Sequence, residues 1–243
     1  MIEFKKPSRK FKTNCSPSYQ NPKSKSTLIH IQGLTLLWIT FIQGETLNVD
    51  NFFDSIPAMA RKTRFAPNEY YHIYNRGTEK RDIFMSSRDY DRLLCLLYAC
   101  NQSDTVVQVQ NKTLLELTKI KNGSKPLVEI AAYCLMPNHF HLLIREKEEN
   151  GVSRFMQKVT TGYTMYFNKK FERTGSLFQG AFKATHVKED RYLKYLISYI
   201  HLNPIKLIEP EWKEVGISDL NGSQKYLDNY KYSSYLDYQN KNR

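Results

Sequence analysis

At 243 residues, with 41% apolar and 25% charged side chains, the chain is long enough for one hydrophobic core and has the composition of a soluble globular protein. Its net charge of +12 suits nucleic acid, an anionic membrane surface or plain solubility, and the 13% aromatic content with 17 tyrosines favours nucleic acid, where cations and stacking rings hold single strands. The four cysteines, Cys15, Cys95, Cys100 and Cys134, form no CxxC pair and no zinc-ligand spacing with histidines, which excludes a zinc-finger reading and suits a reduced, cytoplasmic protein.

Residues 1–58 differ from the rest. Met1 to Ser26 is polar and basic, a mixture that cannot bury enough surface to order itself, and it is expected to be disordered. Leu28 to Ile42 is apolar but broken by His30, Gln32, Thr35 and Thr40, and it is shorter than the roughly 20 residues of a membrane helix. No membrane partner is expected. Met59-Ala60-Arg61-Lys62 opens a compact basic segment just before the first strand pattern. Residues 1–58 therefore read as disordered, or as upstream sequence translated from too early a start, with 59–208 as the folded unit and 209–243 as a packing tail.

From Glu69 the periodicity is readable. Residues 70–75 are β-prone and end at Arg76-Gly77, which predicts a first strand and a turn. Residues 87–100 place Tyr90, Leu93, Leu94, Leu97 and Tyr98 at helical spacing, with Ser86 or Ser87 to cap and Asp89 and Asp91 in the first turn. A long connection follows, with a short element expected near 106–117. Residues 128–136 predict a second strand, Pro137-Asn138 a hairpin turn and 139–146 a third strand. Residues 152–171 carry one apolar face and predict a long helix. Arg173-Thr174-Gly175-Ser176 is a basic turn, and 177–187 an extended return to the sheet. A last core helix over 191–202 is expected to stop at Pro204, which biases Asn203 away from helical geometry. The order strand, helix, strand, strand, helix, strand is the split βαβ arrangement: an α+β, ferredoxin-like antiparallel sheet with helices on one face and one extra C-terminal helix. The tyrosine-rich end, from Tyr226 to Tyr238, reads as a packing element.

Chemistry collects around Met136-Pro137-Asn138-His139-Phe140-His141-Leu142-Leu143. Strand side chains alternate faces, so His139 and His141 project together and can share one ion while Phe140 points into a core. On the last helix Tyr199 and Asn203 are four apart and address a common point. A phenol is a poor nucleophile near neutral pH and becomes useful beside a divalent cation that takes up developing charge. Two imidazoles with one helix oxygen suit Mg²⁺ or Mn²⁺, or Zn²⁺ by affinity. His72 can approach the site from the neighbouring central strand as a second-layer partner, and alternation equally permits a buried structural role. Arg76, Arg173, Lys183 and Lys158 are candidates to contact phosphates, and ordinary solvated charge is the competing explanation for each.

These residues carry a resemblance. The hairpin stretch, with Arg173-Thr174-Gly175-Ser176-Leu177-Phe178-Gln179-Gly180 and Tyr199-Ile200-His201-Leu202-Asn203-Pro204, resembles the single-tyrosine transposases of the HUH nuclease superfamily, most closely their REP-associated branch. Tyr71-His72-Ile73 and Asn75-Arg76-Gly77 are similar to that branch too. The resemblance implies that His139 and His141 bind the metal and that Tyr199 attacks a DNA phosphate to leave a 5′-phosphotyrosine. Asn203 falls where relatives place a glutamine as third ligand. It further implies a hairpin of single-stranded DNA as substrate, no nucleotide cofactor, and a monomer or homodimer. Tyr192 is the substitute nucleophile. The competing function is a non-catalytic single-stranded nucleic-acid binding module of the same fold.

Overall fold

The computed structural model describes residues 63–103 and 125–239, together with positions 30, 31, 34, 35 and 116. The expectations for residues 1–58 and for an element near 106–117 lie outside the described residues, apart from an antiparallel pairing of His30–Ile31 with Leu34–Thr35 and the single position 116.

Four strands form the main sheet: β1 (Tyr70–Arg76), β2 (Val128–Met136), β3 (His139–Glu146) and β4 (Lys183–Val187). Their order is β2-β3-β1-β4, and every neighbouring pair is antiparallel. The two central strands pair from Tyr70 opposite Arg145 to Arg76 opposite His139. Helices α1 (Ser87–Ala99) and α2 (Gly151–Lys170) cover one face, packing with Tyr71, Ile73, Phe140, Leu142 and Ile144. Helix α3 (Asp190–Leu202) packs on the opposite face against Tyr70, Cys134, Met136 and Leu143. The fold is thus the α+β, ferredoxin-like arrangement, with the extra helix on the face opposite α1 and α2.

Alternation decides which side chains meet which helix. In β1, Tyr71 and Ile73 enter the core under α1 and α2, which leaves His72 and Tyr74 on the α3 side. β2 would lose this phase along its length without an irregularity in its pairing between Ile130 and Ala132. Ala131 and Ala132 both face α3, after which Tyr133 and Leu135 return to the other core and Cys134 and Met136 to the α3 side. One extra residue in a bulge re-phases the strand so that it reaches the Pro137-Asn138 turn in register with β3.

The helices on the first face are tied together by Asp89. Its fully buried carboxylate accepts hydrogen bonds from Met85 N at 2.9 Å, Ser86 Oγ at 3.0 Å, Tyr166 Oη at 2.8 Å and Lys170 Nζ at 2.6 Å. The third helical residue thus reaches back over the start of α1, much as in a capping box, while pairing with the end of α2.

Two expectations are corrected. The extended return is shorter than 177–187: β4 starts at Lys183, and the preceding segment touches the sheet through a single bridge between Phe178 and Gly77. A tight turn closed by Gly180 N donating to Phe178 O at 2.8 Å, with Gly180 at φ 72°, takes the chain off the ladder there. Asn203 also keeps helical geometry, φ −51° and ψ −38°, and the chain continues from α3 into a 3₁₀ turn, Asn203–Leu207. Proline is tolerated in the first turn of a helical segment, and Asn203 Nδ2 donates to the Tyr199 carbonyl at 2.8 Å, satisfying an acceptor in the last turn of α3.

The C-terminal segment contributes α4 (Trp212–Val215), α5 (Leu220–Asn229) and α6 (Tyr235–Tyr238). It covers the outer edge of β2. Leu135 N donates to Tyr232 O at 2.9 Å, Ser234 N to Tyr133 O at 3.0 Å, and the Tyr230 and Tyr238 hydroxyls to Leu135 O and Ala131 O at 2.7 and 2.8 Å. Backbone groups that would otherwise template aggregation are thereby occupied.

Candidate active site

A cleft of about 560 Å³ opens where the β2–β3 turn, the end of β1 and the end of α3 converge. His139, His141, Tyr199 and Asn203 all line it, as do Tyr74, Arg76, Lys183, Lys206 and Lys213. The strand period brings the two histidines to one face, with ring centroids 5.0 Å apart and planes at 89°. Tyr199 meets this pair from α3, its ring edge-on to His141 at 5.7 Å and to His72 at 6.3 Å between centroids.

Each imidazole is held at Nδ1. His139 Nδ1 lies 2.6 Å from Asn138 Oδ1, and Asn138 is itself fixed by donating its amide to Lys80 O at 3.2 Å. An amide oxygen is only an acceptor, so His139 donates from Nδ1. His141 Nδ1 lies 2.9 Å from Nε2 of the fully buried His72. Burial alone pulls the His72 pKa down to about 3. His141 is also held well below the ordinary imidazole range, first by burial and then by the neighbouring His139, His72 and Lys213. Near neutral pH both buried rings are therefore neutral, one donating and the other accepting in their shared hydrogen bond.

Tyr199 is almost wholly buried, with 3% of its surface exposed, and Lys213 Nζ donates to its hydroxyl at 3.3 Å while lying 4.7 Å from its ring centroid. Asn203 commits its amide nitrogen to the Tyr199 carbonyl, which leaves Oδ1 as its remaining acceptor. Among the described residues no group of three or more His, Cys, Asp and Glu side chains is spaced for a metal ion. Of the residues lining the cleft, His139, His141 and Asn203 carry the nitrogen and oxygen donors of a kind that could hold such an ion.

A family model described as "Transposase IS200 like" matches residues 68–203, more than half of the chain and the whole segment from the start of β1 to the end of α3. The chain belongs to the IS200-like transposase family. Comparison with curated proteins finds no match. Among solved structures this transposase is similar to a REP-associated tyrosine transposase bound to a REP hairpin, at 12% identity and a TM-score of 0.48, over 74% of this chain and 84% of that one. It is also similar to a candidate transposase from Deinococcus radiodurans r1 (16%, TM-score 0.35, 58% and 95%) and to tRNA(His) guanylyltransferase from Saccharomyces cerevisiae (9%, TM-score 0.36, 74% and 80%). Membership rests on the family match, and among the described residues no helix of the transposase is long and apolar enough to cross a membrane.

The cleft gathers some of the cations expected to meet phosphates and not others. Arg76 and Lys183 line it, with Lys183 Nζ 5.7 Å from the Tyr74 ring centroid. Arg173 is instead turned onto α2, donating to Asn168 Oδ1 at 2.9 Å and lying over Phe167, and Lys158 donates to Gln102 O at 2.9 Å near the end of α1. Neither lines the cleft. Tyr192, the substitute phenol, does not line it either, and the second tyrosine that does is Tyr74. Tyr74 shares a strand face with His72, so the same alternation that selects His139 and His141 would have found it. In sequence Asn138 shows only turn chemistry, and only the fold sets its Oδ1 against His139 Nδ1. Lys213 and Lys206 carry no local signal, because only the tertiary fold brings them to Tyr199 and the histidines.

Proposed function

We propose that this transposase is a metal-dependent endonuclease and strand transferase for single-stranded DNA folded into a hairpin, with Tyr199 as its nucleophile. The observation that carries the reading is that Tyr199, both strand histidines and Asn203 line one cleft. His139 and His141 are each engaged at Nδ1, so a cation would be held through Nε2 of each ring, with Asn203 Oδ1 as the third protein donor. A bound Mg²⁺ or Mn²⁺ supplies Lewis-acid polarisation of the scissile phosphate.

Tyr199 Oη forms a bond to phosphorus as the bond from phosphorus to the 3′ oxygen breaks. The phenol loses its proton to solvent and the 3′ oxygen gains one, leaving a 5′-phosphotyrosine and a free 3′-hydroxyl. The covalent intermediate keeps the phosphodiester's energy, so a new 3′-hydroxyl can reverse the step and join a different end without nucleotide hydrolysis. Arg76, Lys183 and Lys206 surround the cleft with charge suited to the DNA backbone. Histidines, tyrosine and asparagine all come from one chain, so a monomer suffices as the catalytic unit in this reading.

The test is incubation of a 5′-labelled and a 3′-labelled hairpin oligonucleotide with protein and Mn²⁺, followed by denaturing electrophoresis. Label 3′ to the cut should travel with the wild-type protein, and the transfer should vanish in Tyr199→Phe and in chelator. Cleavage that persists in Tyr199→Phe, with no label on the protein, would establish water as the nucleophile and sink the proposal.

A further inference from the structure

Lys213 lines the cleft from beyond residues 68–203, so neither the family match nor the strand-and-helix motif assigns it a role. It is carried on the one-turn helix α4, anchored by the buried Trp212, whose backbone N–H donates to Glu209 O at 3.2 Å. The neighbourhood is already cationic. Arg76, Lys183 and Lys206 share the cleft, and Asp82 is the single acidic side chain among the described residues that line it. An ammonium placed there raises the electrostatic cost of the empty cleft, and that cost reverses when negative charge develops inside it.

We propose that Lys213 is a catalytic residue for the tyrosine step, its ammonium holding the Tyr199 oxygen in place and stabilising the negative charge that passes through that oxygen and the attacked phosphate. Two contacts carry this. The Nζ donates to the reacting oxygen at 3.3 Å, and it lies over the face of the same ring at 4.7 Å. An ammonium is only a donor, so the phenol oxygen accepts from Lys213 and its own proton points elsewhere, leaving the direction of attack fixed by the protein. When Tyr199 Oη bonds to phosphorus and the 3′ oxygen departs, Lys213 keeps its proton throughout. Its contribution is electrostatic and positional.

The inference rests on the proposed function, and the experiment separates the two. Single-turnover adduct formation with a labelled hairpin oligonucleotide and Mn²⁺ is measured at saturating DNA for wild type, Lys213→Met, Lys213→Arg and Tyr199→Phe. Affinity is measured in parallel for the same hairpin in the Tyr199→Phe background, with and without Lys213→Met, where no adduct can form. Lys213→Met keeps the aliphatic stem and should lower the saturated rate about 100-fold, the scale seen when one preorganised donor is removed from a developing oxyanion. DNA affinity should change by no more than about 3-fold, and Lys213→Arg, which restores a cation at the ring face, should recover about 10-fold of the lost rate. A Lys213→Met rate within about 3-fold of wild type, or a loss that appears equally in affinity, overturns the inference while leaving Tyr199 as nucleophile. Wild-type protein that forms no adduct overturns the proposed function and this inference with it.

Discussion

His72 allows a prediction whose size follows from the structure. It is fully buried on β1, hydrogen-bonded to His141 Nδ1 at 2.9 Å, and burial lowers its pKa to about 3 against an ordinary 6.5. Between those values the unfolded chain binds a proton that the folded chain does not, so folding stability is complete above pH 6.5 and is lost as the pH falls toward 3. Each pH unit in that window costs about 1.4 kcal/mol per proton, so moving from pH 7 to pH 5 should cost the folded state about 2 kcal/mol through His72 alone. His141 adds a loss of the same sign, because its pKa is also lowered. The His72→Gln variant removes the first contribution and keeps the second. Urea unfolding of both proteins at pH 7 and pH 5 should show wild type losing about 2 kcal/mol more than the variant across this interval. Equal losses in the two proteins would refute the reasoning, since His72 would then titrate alike in the folded and unfolded chains.

If the basic cleft holds DNA, binding of a single-stranded hairpin should weaken steeply between about 50 and 200 mM salt, and Lys183→Ala should reduce the slope of log K against log salt by about 1. Lys158→Ala, which removes a charge tied to Gln102 O away from the cleft, should leave the slope unchanged in the same titration. Asp89→Ala should destabilise the fold by about 2 kcal/mol in denaturant unfolding, because it removes the buried acceptor shared by Met85 N, Ser86 Oγ, the half-buried Tyr166 hydroxyl and the partly exposed Lys170 ammonium. For the Asp89 carboxyl, burial pushes its pKa up but is outweighed by the Lys170, Tyr166, Met85 and Ser86 hydrogen bonds, so the net value is lowered. Its contribution is present above the ordinary carboxylate range, and the gap between wild type and Asp89→Ala should narrow as the pH falls through that lowered value.

Much of this molecule was legible because its signals are local and periodic. The alternation in residues 139–146 is enough to put His139 and His141 on one face and Phe140 in the core, and the four-residue spacing of Tyr199 and Asn203 is enough to align them on a helix. The order of strands and helices then restricts the topology to few choices, and the family resemblance in three separated motifs narrows them further. What escaped was set by tertiary contacts. The bulge between Ile130 and Ala132 leaves no turn residue or break in hydrophobicity to mark it. Asn203 stays helical because its own side chain donates to the Tyr199 carbonyl, a local bond that outweighs the bias imposed by Pro204. Charge is the least legible property. Lys183 and Lys158 look alike in sequence, and only the folded chain sends one into the cleft and the other to the end of α1. Lys213 reaches Tyr199 from a segment whose evident feature was its tyrosines.

The most direct measurement is the position of the nucleotide on the protein. After reaction with hairpin DNA and Mn²⁺, nuclease trimming and trypsin digestion, fragmentation of the peptide spanning residues 195–206 distinguishes Tyr195 from Tyr199. The account predicts a 5′-phosphonucleotide on Tyr199. A modification on Tyr74, Tyr192 or Tyr195 instead, or cleaved DNA with every tyrosine unmodified, would contradict it.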